Sequence, residues 1–140
     1  MEIKELLRME EFNEAYRVMN QLRIDLSLKK YTELLEQMRK EGYRLFAVVE
    51  DGEIRALAGI IQMTTFYYGN HLYVYDLITD EDARSKGYGE RLLSFVHELG
   101  RDLGCQRVVL SSGKQRIDAH RFYEEKMGYD RVSYVFTKNL

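Results

Sequence analysis

Proline is absent from this 140-residue chain and cysteine occurs once. Neither sign of charge dominates, with 21 Lys and Arg against 23 Asp and Glu for a net charge of −2. Without proline, every chain reversal must use Gly, Asn, Asp or Ser. A lone cysteine, Cys105, excludes an internal disulfide framework and a thiolate metal cluster. Balanced charge gives no support to a nucleic-acid binder that relies on a broad positive field. Long apolar runs are missing as well. The richest stretch, Ala56 to Met63, is interrupted by Gln62 and is far too short for a membrane span. The first residues, Met1-Glu2-Ile3-Lys4-Glu5, alternate charged and apolar side chains and show no signal core. His71, His97 and His120 have no metal-ligand spacing. Neither nucleic acid, membrane nor metal is therefore expected as a partner, and the expected location is the cytoplasm. Hydrophobic residues at 45% and charged residues at 31% exclude a disordered chain and fit one globular domain over residues 1–140.

Ile3 to Leu7 reads as a first strand. Glu10 to Leu22 spaces Phe12, Ala15, Tyr16, Met19 and Leu22 as an amphipathic helix. Ser27 is placed to cap a second helix with Tyr31, Leu34, Leu35 and Met38 on its apolar face, and Gly42 ends it. Tyr43 to Glu50 and Ile54 to Tyr68 form a hairpin about Asp51-Gly52, with Gly59 marking a bulge. Gly69-Asn70 then turns the chain into His71 to Thr79. From there the pattern becomes a helix over 87–103, a buried strand over 108–111 and a helix over 118–127. Tyr129 to Lys138 alternates as one or two closing strands. Strand, helix, strand implies a parallel pair with a crossover. The fold class is α/β (α+β), a mixed sheet with antiparallel early strands, a late parallel pair and about four helices.

The sharpest chemical signal lies between Asp76 and Gly89. A strand ends near Thr79, a loop carries Arg84 and Lys86, and a helix opens at Gly87-Tyr88-Gly89. Unpaired N–H groups and the helix dipole favour an anion there, glycine allows close approach, and the two cations add charge-assisted bonds. A pyrophosphate would suit it. The same residues also fit a helix that merely begins with glycines and solvated cations.

Arg84-Ser85-Lys86-Gly87-Tyr88-Gly89 resembles the R/Q-x-x-G-x-G/A motif of the GCN5-related N-acetyltransferase (GNAT) superfamily. Asp118-Ala119-His120-Arg121-Phe122-Tyr123-Glu124-Glu125-Lys126-Met127-Gly128-Tyr129 is similar to its A-x-x-F-Y-x-x-x-G-F/Y segment, and the element order agrees end to end. The resemblance implies an acetyl-CoA-dependent N-acetyltransferase, a single GNAT-like domain whose parallel strands splay to form a cofactor cleft. It implies that backbone groups of Leu77, Ile78 and Thr79 pair with pantetheine. The N–H groups from Arg84, Ser85, Lys86, Gly87, Tyr88 and Gly89 would hold the pyrophosphate, with Phe122 also at the cofactor. Acetyl-CoA would be a cosubstrate, with no metal, and the acceptor a small-molecule or peptide amine attacking the thioester directly. A homodimer is suggested by the resemblance alone.

Tyr123 matches the family position whose hydroxyl can protonate the leaving thiolate; packing beside Phe122 is its other reading. No base is obvious. The matching positions are Tyr73 and Tyr75, and simple alternation puts Tyr73, Tyr75, Leu77 and Thr79 on one face, Val74, Asp76 and Ile78 on the other. Asp76 would need a bulge or a water to reach the cleft and otherwise is a structural partner. Tyr75 either lines the substrate site and positions water, or packs. Glu81 and Ser85 stand where relatives often have proline and glycine; the missing proline makes a loop that is more mobile before it binds expected. Arg116 stands where Asn is frequent, and the acidic run Asp80-Glu81-Asp82 is expected to face solvent. The missing base keeps an alternative open: a non-catalytic acyl-CoA-binding sensor or regulatory module.

Overall fold

Helical spacing and strand alternation resolve, in the computed structural model of residues 1–140, into five strands and four helices. In chain order these are β1 (Glu2–Leu6), α1 (Met9–Leu22), α2 (Leu28–Lys40), β2 (Arg44–Glu50), β3 (Glu53–Thr65), β4 (Gly69–Thr79), α3 (Tyr88–Asp102), β5 (Arg107–Leu110) and α4 (Ile117–Arg121). The chain divides into two units, Met1–Val109 and Leu110–Leu140. No helix is long and apolar enough to cross a membrane.

The first unit is built on a sheet of order β1-β2-β3-β4-β5. The first four strands are antiparallel neighbours, and β5 lies parallel to β4 after the α3 crossover. Gln106 N–H donates to the Asn70 carbonyl at 2.8 Å, which joins β4 and β5 at their starting ends. One face of the sheet packs Phe12, Ala15, Val18 and Met19 of α1 and Tyr31 and Leu35 of α2 against Leu45, Leu57 and Ile78. The other receives α3, whose Leu92, Leu93 and Val96 are buried. Gly100 lets that helix come close, since a Cβ there would already meet Leu72 Cδ1 at 3.3 Å.

Local chemistry explains the helix ends. Ser27 Oγ accepts from Lys30 N–H at 3.1 Å and caps α2 as expected. For α1 the N-cap is Arg8, which has no acceptor to offer. Glu11 replaces it by reaching back to the N–H groups of Leu7 and Arg8, both at 3.0 Å, while Lys4 Nζ of β1 lies 2.9 Å away. One carboxylate thus fixes how the first strand enters the first helix.

Three expectations change. The β3–β4 reversal is Phe66-Tyr67-Tyr68, with Gly69 at φ +69° closing it, three residues before the expected turn. This is a short loop followed by a left-handed glycine, and it needs no Asn or Asp. Leu34 is exposed, because α2 turns Tyr31, Leu35 and part of Met38 to the buried face and leaves Leu34 outside it. The closing strands are absent: no strand follows Leu110. Val132, Tyr134, Val135 and Phe136 have strand-forming side chains, but they are exposed and have no ladder partner. Propensity alone does not make a strand.

The second unit carries α4 and, directly after it, a widened turn over 122–126. There Met127 N–H reaches the Phe122 carbonyl, five residues back, at 3.0 Å.

The backbone N–H groups of Leu7 and Arg8, with Lys4, hold the Glu11 carboxyl down at about 2, against an ordinary 4.5. A depressed carboxyl stabilises the fold above its unfolded pKa and loses that contribution as pH falls. Glu11→Gln is expected to destabilise by about 1 kcal/mol at pH 7. Denaturant titrations should show that gap closing as pH drops from about 4.5 toward 2. A gap independent of pH would rule out the charged cap.

Candidate active site

Strand β4 does not follow simple alternation. Ile60 pairs with Val74 and Gly59 with Asp76, so Tyr75 is an extra residue facing no single partner. The bulge signalled by Gly59 is present, with its added residue on the opposite strand. Its consequence is a change of face. Tyr75 stacks on Tyr43 at 5.8 Å between centroids and meets Tyr73 edge-on at 5.5 Å. Asp76 and Ile78 then fall on that same α1 side, where Ile78 joins the core with Phe12 and Ala15. The expected split between Tyr75 and Asp76 is therefore corrected, because one inserted residue inverts the count for everything after it.

Asp76 is buried and fully engaged. Tyr43 Oη donates to its Oδ2 at 2.8 Å, and Arg23 donates to Oδ1 through Nε at 3.2 Å and Nη2 at 2.9 Å. Arg23 Nη2 also donates to the carbonyl of Tyr75, the added residue of the bulge, at 2.8 Å. Burial, with Asp76 beside it, drives the Tyr43 phenol well above its ordinary range, so it remains a donor. The loop from Arg23 to Ser27 is pinned as well: Tyr16 Oη and Asn20 Nδ2 both donate to the Leu26 carbonyl, at 2.6 and 3.1 Å.

Beyond Thr79 the chain makes a short turn over 81–83 and then the loop to α3. Arg84 is extended, Ser85 has φ +64°, and Gly87 at φ +82° is the N-cap of α3. Ser85 thus occupies a conformation suited to the glycine it replaces. No side chain caps α3 at Gly87, and nothing lies within 4 Å of where a Gly87 Cβ would stand. Arg84, Ser85 and Lys86 are exposed. The Tyr88 hydroxyl donates to Glu50 of β2, which ties the first turn of α3 to the sheet. Open space before an uncapped helix start, flanked by two cations, fits a diphosphate.

The acidic run does not behave as one. Glu81 and Asp82 are exposed, but Asp80 is buried with its carboxylate on Arg17 Nη2 at 2.8 Å and Gln21 Nε2 at 3.2 Å. Alternation counted from Ile78 would have found this inward position. Nothing in the sequence marked Arg17, Gln21 or Tyr43.

In the second unit Phe122 and Tyr123 sit in the widened turn after α4. Tyr123 is buried, edge-on to Phe122 at 5.5 Å and tilted against Tyr129 at 5.8 Å. Burial raises its phenol above the ordinary value, so it is protonated at neutral pH. Arg116, at the departure from the family pattern, is the N-cap of α4. Cys105 is half-buried, its thiol directed at Asn70 Oδ1 and raised in pKa by burial.

Residues 6–129 match the model of the Acetyltransferase (GNAT) family. The chain belongs to that family. Its enzyme class follows: this GNAT member is an acyltransferase. It is 44% identical over 137 residues to an uncharacterized N-acetyltransferase, YhdJ, of Bacillus subtilis, covering 97% of this chain and 96% of that one. It is 29% identical over 99 residues to the aminoalkylphosphonate N-acetyltransferase of Salmonella typhimurium, covering 70% of this chain and 62% of that protein. Among solved structures, an aminoglycoside N-acetyltransferase in complex with CoA shares the fold at a TM-score of 0.85 and 12% identity, over 99% of this chain and 93% of that one. The GNAT fold places the bulge of β4 and the start of α3 in one continuous strand-loop-helix segment, residues 69–102.

Gly59 faces the same network: a Cβ there would overlap the Tyr43 hydroxyl and ring. Gly59→Ala should therefore lower stability by about 1–3 kcal/mol. In a Tyr43→Leu background the same change should have a smaller effect, measured by a double-mutant cycle in urea. Additive effects would mean that Gly59 and Tyr43 do not meet.

Proposed function

We propose that the protein transfers the acetyl group of acetyl-CoA to a primary amine by direct attack in a ternary complex. The observation that carries this reading is the uncapped start of α3 with Arg84 and Lys86 before it and open space at Gly87. Backbone N–H groups from Arg84 to Gly89, including those of Ser85, Lys86 and Tyr88, take the pyrophosphate. Backbone groups of Leu77, Ile78 and Thr79 take the pantetheine arm as an added strand, and Phe122 packs on the cofactor. We read the whole chain as one acetyltransferase domain, which the family match over 6–129 supports, and the cytoplasm as its place of work.

In the transfer the amine lone pair attacks the thioester carbonyl, the carbon–sulfur bond breaks, and Tyr123 gives its proton to the departing thiolate. The buried phenol is protonated well past neutral pH, as an acid must be. The proton lost by the amine leaves through water, which Tyr75 orients at the bulge, and solvent returns a proton to Tyr123. Asp76 has both oxygens occupied as acceptors, and its part is to fix that bulge through Arg23 and Tyr43. The acceptor is a small-molecule or peptide amine. Similarity to a protein named for an aminoalkylphosphonate supports a small one.

Release of free thiol from acetyl-CoA, followed across a panel of amines, tests the reading. At least one primary amine should drive release, and Tyr123→Phe should lower kcat about 10²–10⁴-fold with little change in the KM for acetyl-CoA. Absence of release with every amine would overturn transfer, and an unchanged kcat in Tyr123→Phe would remove the acid.

A further inference from the structure

The loop proposed to take the pyrophosphate starts beside a buried carboxylate. An unpaired Asp80 there would repel a diphosphate, yet its side chain is only 2% exposed and is satisfied on several sides. Arg17 Nη2 and Gln21 Nε2 donate to it from α1, and Asp82 N–H donates to it from within the loop at 3.2 Å. The backbone of Asp80 donates to the Arg55 carbonyl of β3 at 2.8 Å. Gln21 uses its other atom too: Oε1 accepts Glu81 N–H at 2.9 Å. That N–H is the group a proline at this position would lack. The start of the loop is thus held by side chains where a proline would stiffen it covalently.

We propose that Arg17 and Gln21 of α1, through buried Asp80 and the Glu81 N–H, position the β4–α3 loop for the pyrophosphate of coenzyme A, so that α1 sets cofactor affinity through the loop. This deepens the reading above and rests on it. The arrangement acts in two ways. It neutralises the one buried negative charge at the loop's entry, and it fixes the backbone from which the α3 N–H groups are presented. The Arg17 guanidinium, the dominant influence on Asp80, holds that carboxyl below its ordinary range and keeps it an acceptor. Four residues earlier, within β4, Asp76 and the Tyr75 carbonyl are gripped by Arg23 at the end of α1. One helix therefore braces both the bulge and the loop. Arg17, Gln21 and Asp80 are positioning residues.

The test is calorimetric titration of the full chain with CoA and with pantetheine, which lacks the pyrophosphate. The wild type should bind CoA far more tightly. Asp80→Asn, Arg17→Gln and Gln21→Leu should each reduce that preference, with Arg17→Gln reducing it about tenfold, the effect of a lost hydrogen bond to a charged group. Arg17→Lys should recover part of it. A merely structural role would weaken both ligands alike and leave the ratio unchanged, which overturns the proposal. If Asp80→Asn does not fold, the exposed Arg17 and half-buried Gln21 variants decide. Arg84→Ala separates the two levels. Loss of preference in Arg84→Ala but not in the α1 variants rejects the brace alone. Equal binding of CoA and pantetheine by the wild type rejects the loop as the pyrophosphate site, and the brace with it.

Discussion

Two buried carboxylates, one within β4 and one just past its end, and the arginines that reach them from α1 and its C-cap organise the first unit. Asp76 of β4 and Asp80, the residue after its end, are both removed from water, and each would be strongly unfavourable there without a cationic donor. Arg23 and Arg17 supply those donors from α1, at 2.9 and 2.8 Å. Both arginines keep part of their guanidinium in solvent, so the pairs avoid the full desolvation penalty of a wholly buried ion pair. The apolar contacts of Phe12, Ala15, Val18 and Met19 hold α1 on the sheet, but hydrophobic packing is non-directional. The polar pairs fix where along β4 the helix sits.

That placement shapes the chemistry at each end of the strand's second half. At the bulge Arg23 donates to the Tyr75 carbonyl, while Tyr43 closes the other side of Asp76. Beyond Thr79 the chain leaves the sheet under the hold of Arg17 and Gln21, and reaches α3 through Ser85 and Gly87, both with positive φ. The helix start is left without a side-chain cap. Its N–H groups and dipole remain available to an anion, and in the proposed reading the backbone of β4 before it takes the extended arm of the cofactor. Strand end, loop and helix start are continuous in sequence, and α1 with its C-cap contacts the first two.

Much of this was readable from residue order. Apolar spacing located α1, α2 and α3, Asp51-Gly52 located the first hairpin, and Gly59 announced the bulge. The glycines and cations around Arg84–Gly89 marked the loop, because helix-start chemistry is local. What escaped reading was non-local. A bulge inverts every later inside–outside assignment, and alternation cannot say which of the paired strands carries the added residue. Asp80 looked solvated beside Glu81 and Asp82, since the arginine that buries it lies 63 residues away in sequence. Tyr43 resembled an ordinary strand aromatic until Asp76 stood opposite it. The last residues have the composition of a strand without a partner to make them one, a fact about neighbours and not about propensity.

The central claim is that coenzyme A is held by the backbone of β4 and of the loop into α3. Amide chemical shifts of the full chain during titration with CoA test it most directly. The largest changes should fall on Leu77, Ile78 and Thr79 and on the N–H groups from Arg84 to Gly89. Saturating changes confined to other residues, or none at any concentration, would contradict it.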